Sequence, residues 1–513
     1  MSPASERRWR PYWVLVIIPL LLLSPPAWVS VAALAGAAGA TLLAAGVVRG
    51  RAASVAEPPP DGVLLGSERA GPGGERRGGG PVVLTDRQLS AHALILGASG
   101  AGKSTTLLRI LADTIRRGLP VVAIDLKGSP AFVDALRDAA AAAGREFALW
   151  TPDGPTHWNP LAHGNATELK DKLIATERFT EPHYQRAAER YVQTVLQVLL
   201  ARDSDTAPTL SEVVTLMDPR RLAASLRGAP QPLAQRVQDY VSTLSPDQLS
   251  AIRGLGTRLA IISESHTGAY LGPGAGRRVD LRAALAGTQV VAFSLNSSTY
   301  GKLAAQLGTL VIQDLVTAVG HRLQAPGGAR ALIAIDEFSA LGSDNTIALL
   351  ARGREAGASV LLATQELADL DRAARGLRDQ VLGNTAVKIA HRQDVPASAQ
   401  AIAQMAGTET VWEHTHRIAR RPLLGAHDTG AGTRREVERF VIDPNVIKTL
   451  PTGEAVLITK LPRAQARTVR VLPPPVRGGI PLPPPARGGI ARPPPAGRGI
   501  ERLPPAGGGI ERD

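Results

Sequence analysis

The chain has 513 residues, too many for a single compact core, so two or more domains joined by linkers are expected. It contains no cysteine, which excludes disulfides and thiolate metal sites. Lys and Arg together number 58 against 45 for Asp and Glu; the net charge of +13 suits a nucleic acid or an anionic membrane surface as partner, although arginine-rich coding bias alone gives the same balance.

From Pro11 to Val48 the only ionisable side chain is Tyr12, and the run is flanked by Arg7, Arg8 and Arg10 before it and by Arg49 and Arg51 after it. A span needs about 20 apolar residues, so this run is long enough to cross twice. Ser24-Pro25-Pro26 stands where a helical hairpin would turn. Residues 1–50 are therefore read as a transmembrane hairpin with arms Tyr12 to Leu23 and Ala27 to Val48. Basic residues at both ends place both termini in the cytoplasm, which makes the chain a multi-pass protein of the inner (plasma) membrane, in contact with lipid. A cleaved signal peptide shares the basic start, the apolar run and the small residues from Ala32 to Ala40, but it would strand a nucleotide site outside the cytoplasm. Residues 51–80 are rich in Pro, Gly and Arg and are expected to form a flexible linker.

The folded part is expected to begin at Pro81, with Val82-Val83-Leu84 and Ala93-Leu94-Ile95-Leu96 as buried strands. The second leads into Gly97-Ala98-Ser99-Gly100-Ala101-Gly102-Lys103-Ser104, a phosphate-loop pattern, and Thr105 opens the apolar periodicity of a helix behind it. Glycines let the backbone fold around an anion, and successive N–H groups together with the helix N-terminus aim partial positive charge at it. Lys103 is expected to reach the β- and γ-phosphates of ATP, and the Ser104 hydroxyl to hold Mg²⁺. Leu119 to Asp125 is the next strand, and strands alternating with helices imply a parallel sheet covered on both faces.

Between residues 165 and 278 the strand signal disappears. Amphipathic helices are expected over Thr167 to Phe179, His183 to Arg202, Pro232 to Leu244 and Pro246 to Glu264, with a capping box at Thr209 and Glu212 opening another. This is read as an all-α insertion between two parts of a nucleotide-binding domain, residues 81–164 and 279–470. The sheet resumes at Gln289 to Leu295, followed by a long helix from Lys302 to about Leu323.

Ala331-Leu332-Ile333-Ala334-Ile335 ends in Asp336-Glu337 and delivers two carboxylates to the C-terminal edge of the sheet. Asp336 is expected to act on Mg²⁺ and Glu337 to polarise the attacking water. The helix Asn345 to Ala356 carries Arg352 and Arg354, either of which is a candidate finger for a neighbouring subunit's nucleotide. Ser359 to Thr364 leads to Gln365, whose amide suits sensing of the γ-phosphate; an ordinary strand-end glutamine is the alternative. Further on come a strand at Ala386 to Ala390, a helix from Ala397 to Met405, a charged loop or hairpin over Glu413 to Arg439, and Gly453 to Ile458 as the final strand. Residues 471–513 repeat a Pro/Gly/Arg decapeptide and are expected to be disordered.

The hairpin, the phosphate loop, Asp125-Leu126-Lys127-Gly128, Trp158-Asn159-Pro160-Leu161, the helical insertion, Asp336-Glu337-Phe338 and Ala363-Thr364-Gln365 follow one another in this order. The order resembles the coupling ATPases of type IV secretion and conjugation systems, the TraG/TraD-like family with a TraM recognition domain. The resemblance implies an α/β, RecA-like P-loop NTPase fold with a central, mostly parallel sheet. It further implies a homo-hexamer around a channel that uses ATP to bring relaxase-bound single-stranded DNA to inner-membrane secretion-channel proteins. The family roles fall on Lys103 and Ser104 for phosphate and Mg²⁺, on Asp336 and Glu337 for metal and water, and on Gln365 as sensor; the all-α insertion corresponds to a region associated with DNA and substrate recognition. Two alternatives stay open, a duplex DNA translocase of the FtsK or HerA type and a membrane receptor that recruits substrates without hydrolysis.

Overall fold

The computed structural model describes residues 60–69, 79–177, 179–202, 206–324, 327–341, 343–421 and 425–475. The expected membrane hairpin and almost all of the repeat tail lie outside the described residues. The strands in chain order are β1 (Gly62–Glu68), β2 (Pro81–Thr85), β3 (Ala93–Leu96), β4 (Val121–Asp125), β5 (Phe147–Trp150), β6 (His157–Trp158), β7 (Arg278–Val279), β8 (Val290–Ser294), β9 (Ala331–Asp336), β10 (Ala358–Thr364), β11 (Val387–Ala390), β12 (Thr408–Arg421), β13 (Gly425–Phe440), β14 (Glu454–Thr459) and β15 (Gln465–Val471). Eleven of them form one sheet in the order β2-β1-β15-β14-β11-β3-β10-β9-β4-β8-β5.

From β11 to β5 every neighbouring pair is parallel, whereas β14, β15, β1 and β2 continue the sheet antiparallel. Strands β3, β4, β8, β9 and β10 are buried at every residue, as expected of parallel strands with helices on both faces. Alternate residues divide between two cores: Leu94, Leu96, Val122 and Ile124 face one, and Ala93, Ile95, Val121 and Ala123 the other. The second core is closed by Leu107, Ile110 and Leu111 of the helix Lys103–Arg116 and by Phe132 and Leu136 of Pro130–Ala142. The first is closed by the helical run Ser297–Gln324, kinked at Gly301, and by the insertion. Ser297–Gln324 is also the one described helix long and apolar enough to cross a membrane, but most of it is buried in this core.

Between residues 165 and 277 the described residues contain helices only. Asn165 with Glu168, Thr209 with Glu212 and Ser245 with Gln248 form reciprocal capping boxes that start three of them. The helix Pro182–Arg202 buries Ala188, Tyr191, Val192, Val195 and Leu199, the three- and four-residue spacing of one apolar face. A buried ion pair ties the insertion to the sheet domain. Lys172 Nζ donates to Asp314 Oδ1 at 2.9 Å, to the carbonyl of Pro160 at 3.0 Å and to that of His163 at 2.9 Å, while Trp158 Nε1 donates to Asp314 Oδ2 at 3.0 Å.

Two expectations are corrected. The 51–80 stretch is not linker throughout: Gly62–Glu68 is β1, paired on one side with β2 and on the other with β15, and Val63, Leu64 and Leu65 are buried. Three apolar residues surrounded by Pro, Gly and Arg give no periodicity in a long window, and pairing on both edges decides the conformation. The sheet domain thus starts at Gly62 instead of Pro81. Nor is β14 the last strand, since β15 follows it; its two buried residues, Val469 and Val471, stand among Arg467, Thr468 and Arg470, and so sparse an apolar signal hides the strand in the sequence. The charged stretch expected over Glu413 to Arg439 is the two-stranded ribbon β12–β13, paired from Thr408 opposite Phe440 to Arg421 opposite Gly425 with a shift of register between His416 and Ile418.

Candidate active site

In a parallel sheet the C-terminal ends of all strands lie along one edge, so side chains from distant parts of the chain meet there. Here that edge gathers the loop after β3, Asp125 and Lys127 after β4, Asp336 and Glu337 at the end of β9, Gln365 after β10 and His391 after β11. β10 lies between β3 and β9, and Asp125 is directly opposite Asp336 on the neighbouring strand.

The loop from Gly97 to Gly102 is held by three other segments. The N–H of Gly97 donates to the Gln365 carbonyl at 3.2 Å, the N–H of Ala98 to that of Arg392 at 3.0 Å, and the N–H of Gly453 to that of Ala101 at 3.1 Å. A side chain at Gly97 would meet Cβ of His391 at 2.7 Å and Cγ of Lys103 at 3.2 Å, so only glycine fits. Ser99 and Gly100 are exposed, Ala98 and Gly102 half-buried, and Ala101 buried. Lys103 is buried, its Nζ donating to the Gly97 carbonyl at 2.7 Å, while Ser104 is exposed and Thr105 half-buried in the first helical turn. Burial, and then the neighbouring Lys127 charge, push the Lys103 ammonium below its ordinary pKa, against the pull of Glu337 and Asp336.

Under this loop lies His391, fully buried. Its Nδ1 faces the Glu454 carbonyl at 2.9 Å, which can only accept, so Nδ1 carries the proton. Nε2 is then the acceptor for the Thr106 hydroxyl at 2.8 Å. Burial pushes the imidazole pKa down to about 4, so it is neutral at physiological pH.

The acidic side is equally well connected. Asp336 is buried, and desolvation raises its carboxyl to about 6, with Lys127 and Lys103 opposing and Glu337 and Asp125 adding to the rise. Burial also raises Asp125, opposed by the backbone N–H groups of Ser129, Lys127 and Gly128. Glu337 stands in the left-handed region at φ 56°, a strained setting for a residue with a Cβ. Its Oε1 takes an ion pair from Lys127 Nζ at 2.6 Å and a hydrogen bond from Gln365 Nε2 at 3.0 Å. Ser104 and Asp336 offer a hydroxyl and a carboxylate, hard oxygen donors that suit Mg²⁺, an ion that takes few protein ligands and keeps phosphate and water for the rest.

Two protein-family models match the chain, the type IV secretion-system coupling protein DNA-binding domain over residues 78–242 and the TraM recognition site of TraD and TraG over residues 330–452. The chain belongs to the type IV coupling-protein family. Among solved structures, this coupling protein's fold is similar to that of the plasmid coupling protein TrwB in complex with ADP and Mg²⁺, with 16% identity, 83% of this chain and 97% of that chain covered, and a TM-score of 0.57. An unbound form of the same bacterial conjugative coupling protein gives 16% identity, 76% and 87% coverage and a TM-score of 0.58. VirB4 of Thermoanaerobacter pseudethanolicus gives 15% identity, 81% and 97% coverage and a TM-score of 0.53. No curated protein matches the sequence significantly.

Of the residues expected at the site, the loop from Gly97 to Thr105 and the trio Asp336, Glu337 and Gln365 share one sheet edge. Arg352 and Arg354 do not join them. Both are exposed, at and just beyond the end of the helix Ser343–Gly353, which runs back from the tip of β9 to the start of β10. Eleven helical residues cover about 16 Å, enough to carry the arginines to the opposite edge. There the Arg354 charge reaches His92, just before β3, whose imidazole is lowered mainly by burial and further by that arginine. Sequence reasoning assigned no role to Lys127 or His391. The Asp-x-Lys-Gly segment was a visible signal for the first; an isolated histidine after a short strand gave none for the second.

Proposed function

We propose that the chain is a membrane-anchored ATPase that couples ATP hydrolysis to the recruitment and transfer of relaxase-bound single-stranded DNA into a type IV secretion channel, working as a homo-hexamer in the inner membrane. The observation that carries the ATPase reading is the meeting of Lys103, Asp336 and Glu337 at one edge of one sheet, close enough for their charges to act on one another. The loop amides and Lys103 hold the phosphates, and Ser104 and Asp336 hold Mg²⁺, which when bound neutralises charge on the phosphate oxygens. Glu337 takes the proton of the attacking water, and Gln365 keeps that carboxylate in place. A structure of the same fold was solved with ADP and Mg²⁺, and another with a non-hydrolysable ATP analogue, which supports the cofactor assignment. The DNA reading is supported by the match of residues 78–242 to a coupling-protein DNA-binding domain and by the chain's basic balance. The membrane reading is supported by the apolar run from Pro11 to Val48.

The test is ATP hydrolysis by the full chain in detergent, with and without single-stranded DNA. Stimulation by DNA that falls steeply as salt rises is expected. Glu337→Gln should cost about 10²–10⁴-fold in turnover, the range of a lost general base, and Lys103→Ala should abolish it. Unchanged turnover in both variants would overturn the proposal.

A further inference from the structure

The segment after β4 puts a second lysine into the site, and its backbone is fixed. The Lys127 N–H donates to Asp125 Oδ1 at 2.9 Å, and the Ser129 N–H to Asp125 Oδ2 at 2.6 Å. Gly128 is at φ +74°, and a Cβ there would come within 2.7 Å of the Asn296 backbone, so the turn is seated directly on that residue. From this rigid base the Lys127 side chain reaches Glu337, but the two ends of the pair differ in exposure. The carboxylate side chain is 14% accessible and the lysine side chain 41%, so the ammonium lies on the solvent side of the acid it holds. Glu337 has a second partner on the same oxygen, Gln365, and would keep it if the lysine moved.

The charges are also unequal. Asp125, Asp336, Glu337 and Asp369 each act on Lys103 or Lys127, four carboxylates against two ammonium groups. Lys127 therefore supplies half of the positive charge in a site that is short of it, and an added phosphate feels its loss most. We infer that Lys127 is a specificity-determining residue that distinguishes a nucleoside triphosphate from a diphosphate. Its ammonium is shared between Glu337 and the terminal phosphate, and it gives up the carboxylate only when that phosphate is present. Hydrolysis thereby becomes conditional: the base is freed by the group it is to act on. This rests on the nucleotide-site reading above.

The test is calorimetric titration of the full chain with Mg²⁺ and either ADP or a non-hydrolysable ATP analogue. Lys127→Met should weaken the analogue on the order of tenfold, about 1.4 kcal/mol, and leave ADP within about twofold. Lys127→Arg keeps the charge and should restore most of the preference. Glu337→Gln removes the competing anion and should tighten the analogue several-fold without changing ADP. Equal weakening of both nucleotides by Lys127→Met, or no change, would overturn the inference. Should Lys127→Met fail to fold, Glu337→Gln decides alone, and an unchanged analogue affinity there overturns it. If the parent chain binds neither nucleotide, it is the nucleotide-site reading that falls, and a parent that binds both while the variants keep its ratio sinks only the role of Lys127.

Discussion

Asp336→Asn should make the folded protein more stable at neutral pH while removing its activity. Burial carries this carboxyl from its ordinary 3.8 to about 6, and one pKa unit corresponds to about 1.4 kcal/mol, so the ionised side chain costs the fold about 3 kcal/mol. The sign follows from linkage. A carboxyl raised in the folded state binds its proton more tightly there, so the cost is absent below about pH 3.8 and complete above about pH 6. Asparagine cannot ionise and escapes it, so the variant should gain about 2–3 kcal/mol over the parent at pH 7.5 and most of that gain should vanish by pH 4.5. Urea unfolding followed by tryptophan fluorescence suits the measurement, because Trp150 and Trp158 are both fully buried in the core behind the site. His391 titrates with the opposite sign in the same window, but it is common to both proteins and cancels in the difference. A variant that is less stable at pH 7.5, or whose gain does not depend on pH, would refute the claim that buried charge is being held at this strand tip against its solvation preference.

Lys172→Ala should destabilise the chain by about 3–5 kcal/mol, because it leaves Asp314 buried without its counter-ion; Lys172→Met combined with Asp314→Leu should recover most of the loss, read as the unfolding midpoint. His391, lowered to about 4 by burial, contributes stability that is present above its unfolded value of 6.5 and is lost as pH falls toward 4, about 3 kcal/mol in all. On going from pH 7 to pH 4.5, His391→Gln should therefore lose about 2–3 kcal/mol less stability than the parent.

The parallel strands from β11 to β8 were legible because they are nearly unbroken apolar runs, whereas the half-exposed edge strand β5 was not; the phosphate loop and the Asp-Glu strand end each carry their chemistry in adjacent residues. β1 and β15 were not. Both owe their conformation to each other, Gly66 standing opposite Val471, and no local pattern encodes a pairing across some 400 residues. The site divides the same way. Lys103 and Asp336 were visible one at a time, and their meeting follows from strand order. The hold of Lys127 on Glu337 and the seat of the loop on His391 are contacts between segments whose neighbours in sequence say nothing about them. Arg352 and Arg354 lie at and beyond the end of the helix Ser343–Gly353, away from their own chain's site, and a reach toward a neighbouring subunit's nucleotide is a relation between chains that one sequence does not encode.

The position of β1 would set the length of leash between the proposed anchor and the sheet. Thirteen residues, fourteen Cα–Cα steps, separate Val48, the last of the apolar run, from Gly62, and a fully drawn-out chain spans at most about 3.6 Å per step, so if that run anchors the chain as proposed, the sheet can float no more than about 50 Å from its end. Because β1 belongs to the same sheet whose edge carries Asp336 and the loop before Lys103, a pull on such an anchor would reach the candidate site through the backbone hydrogen bonds of one sheet.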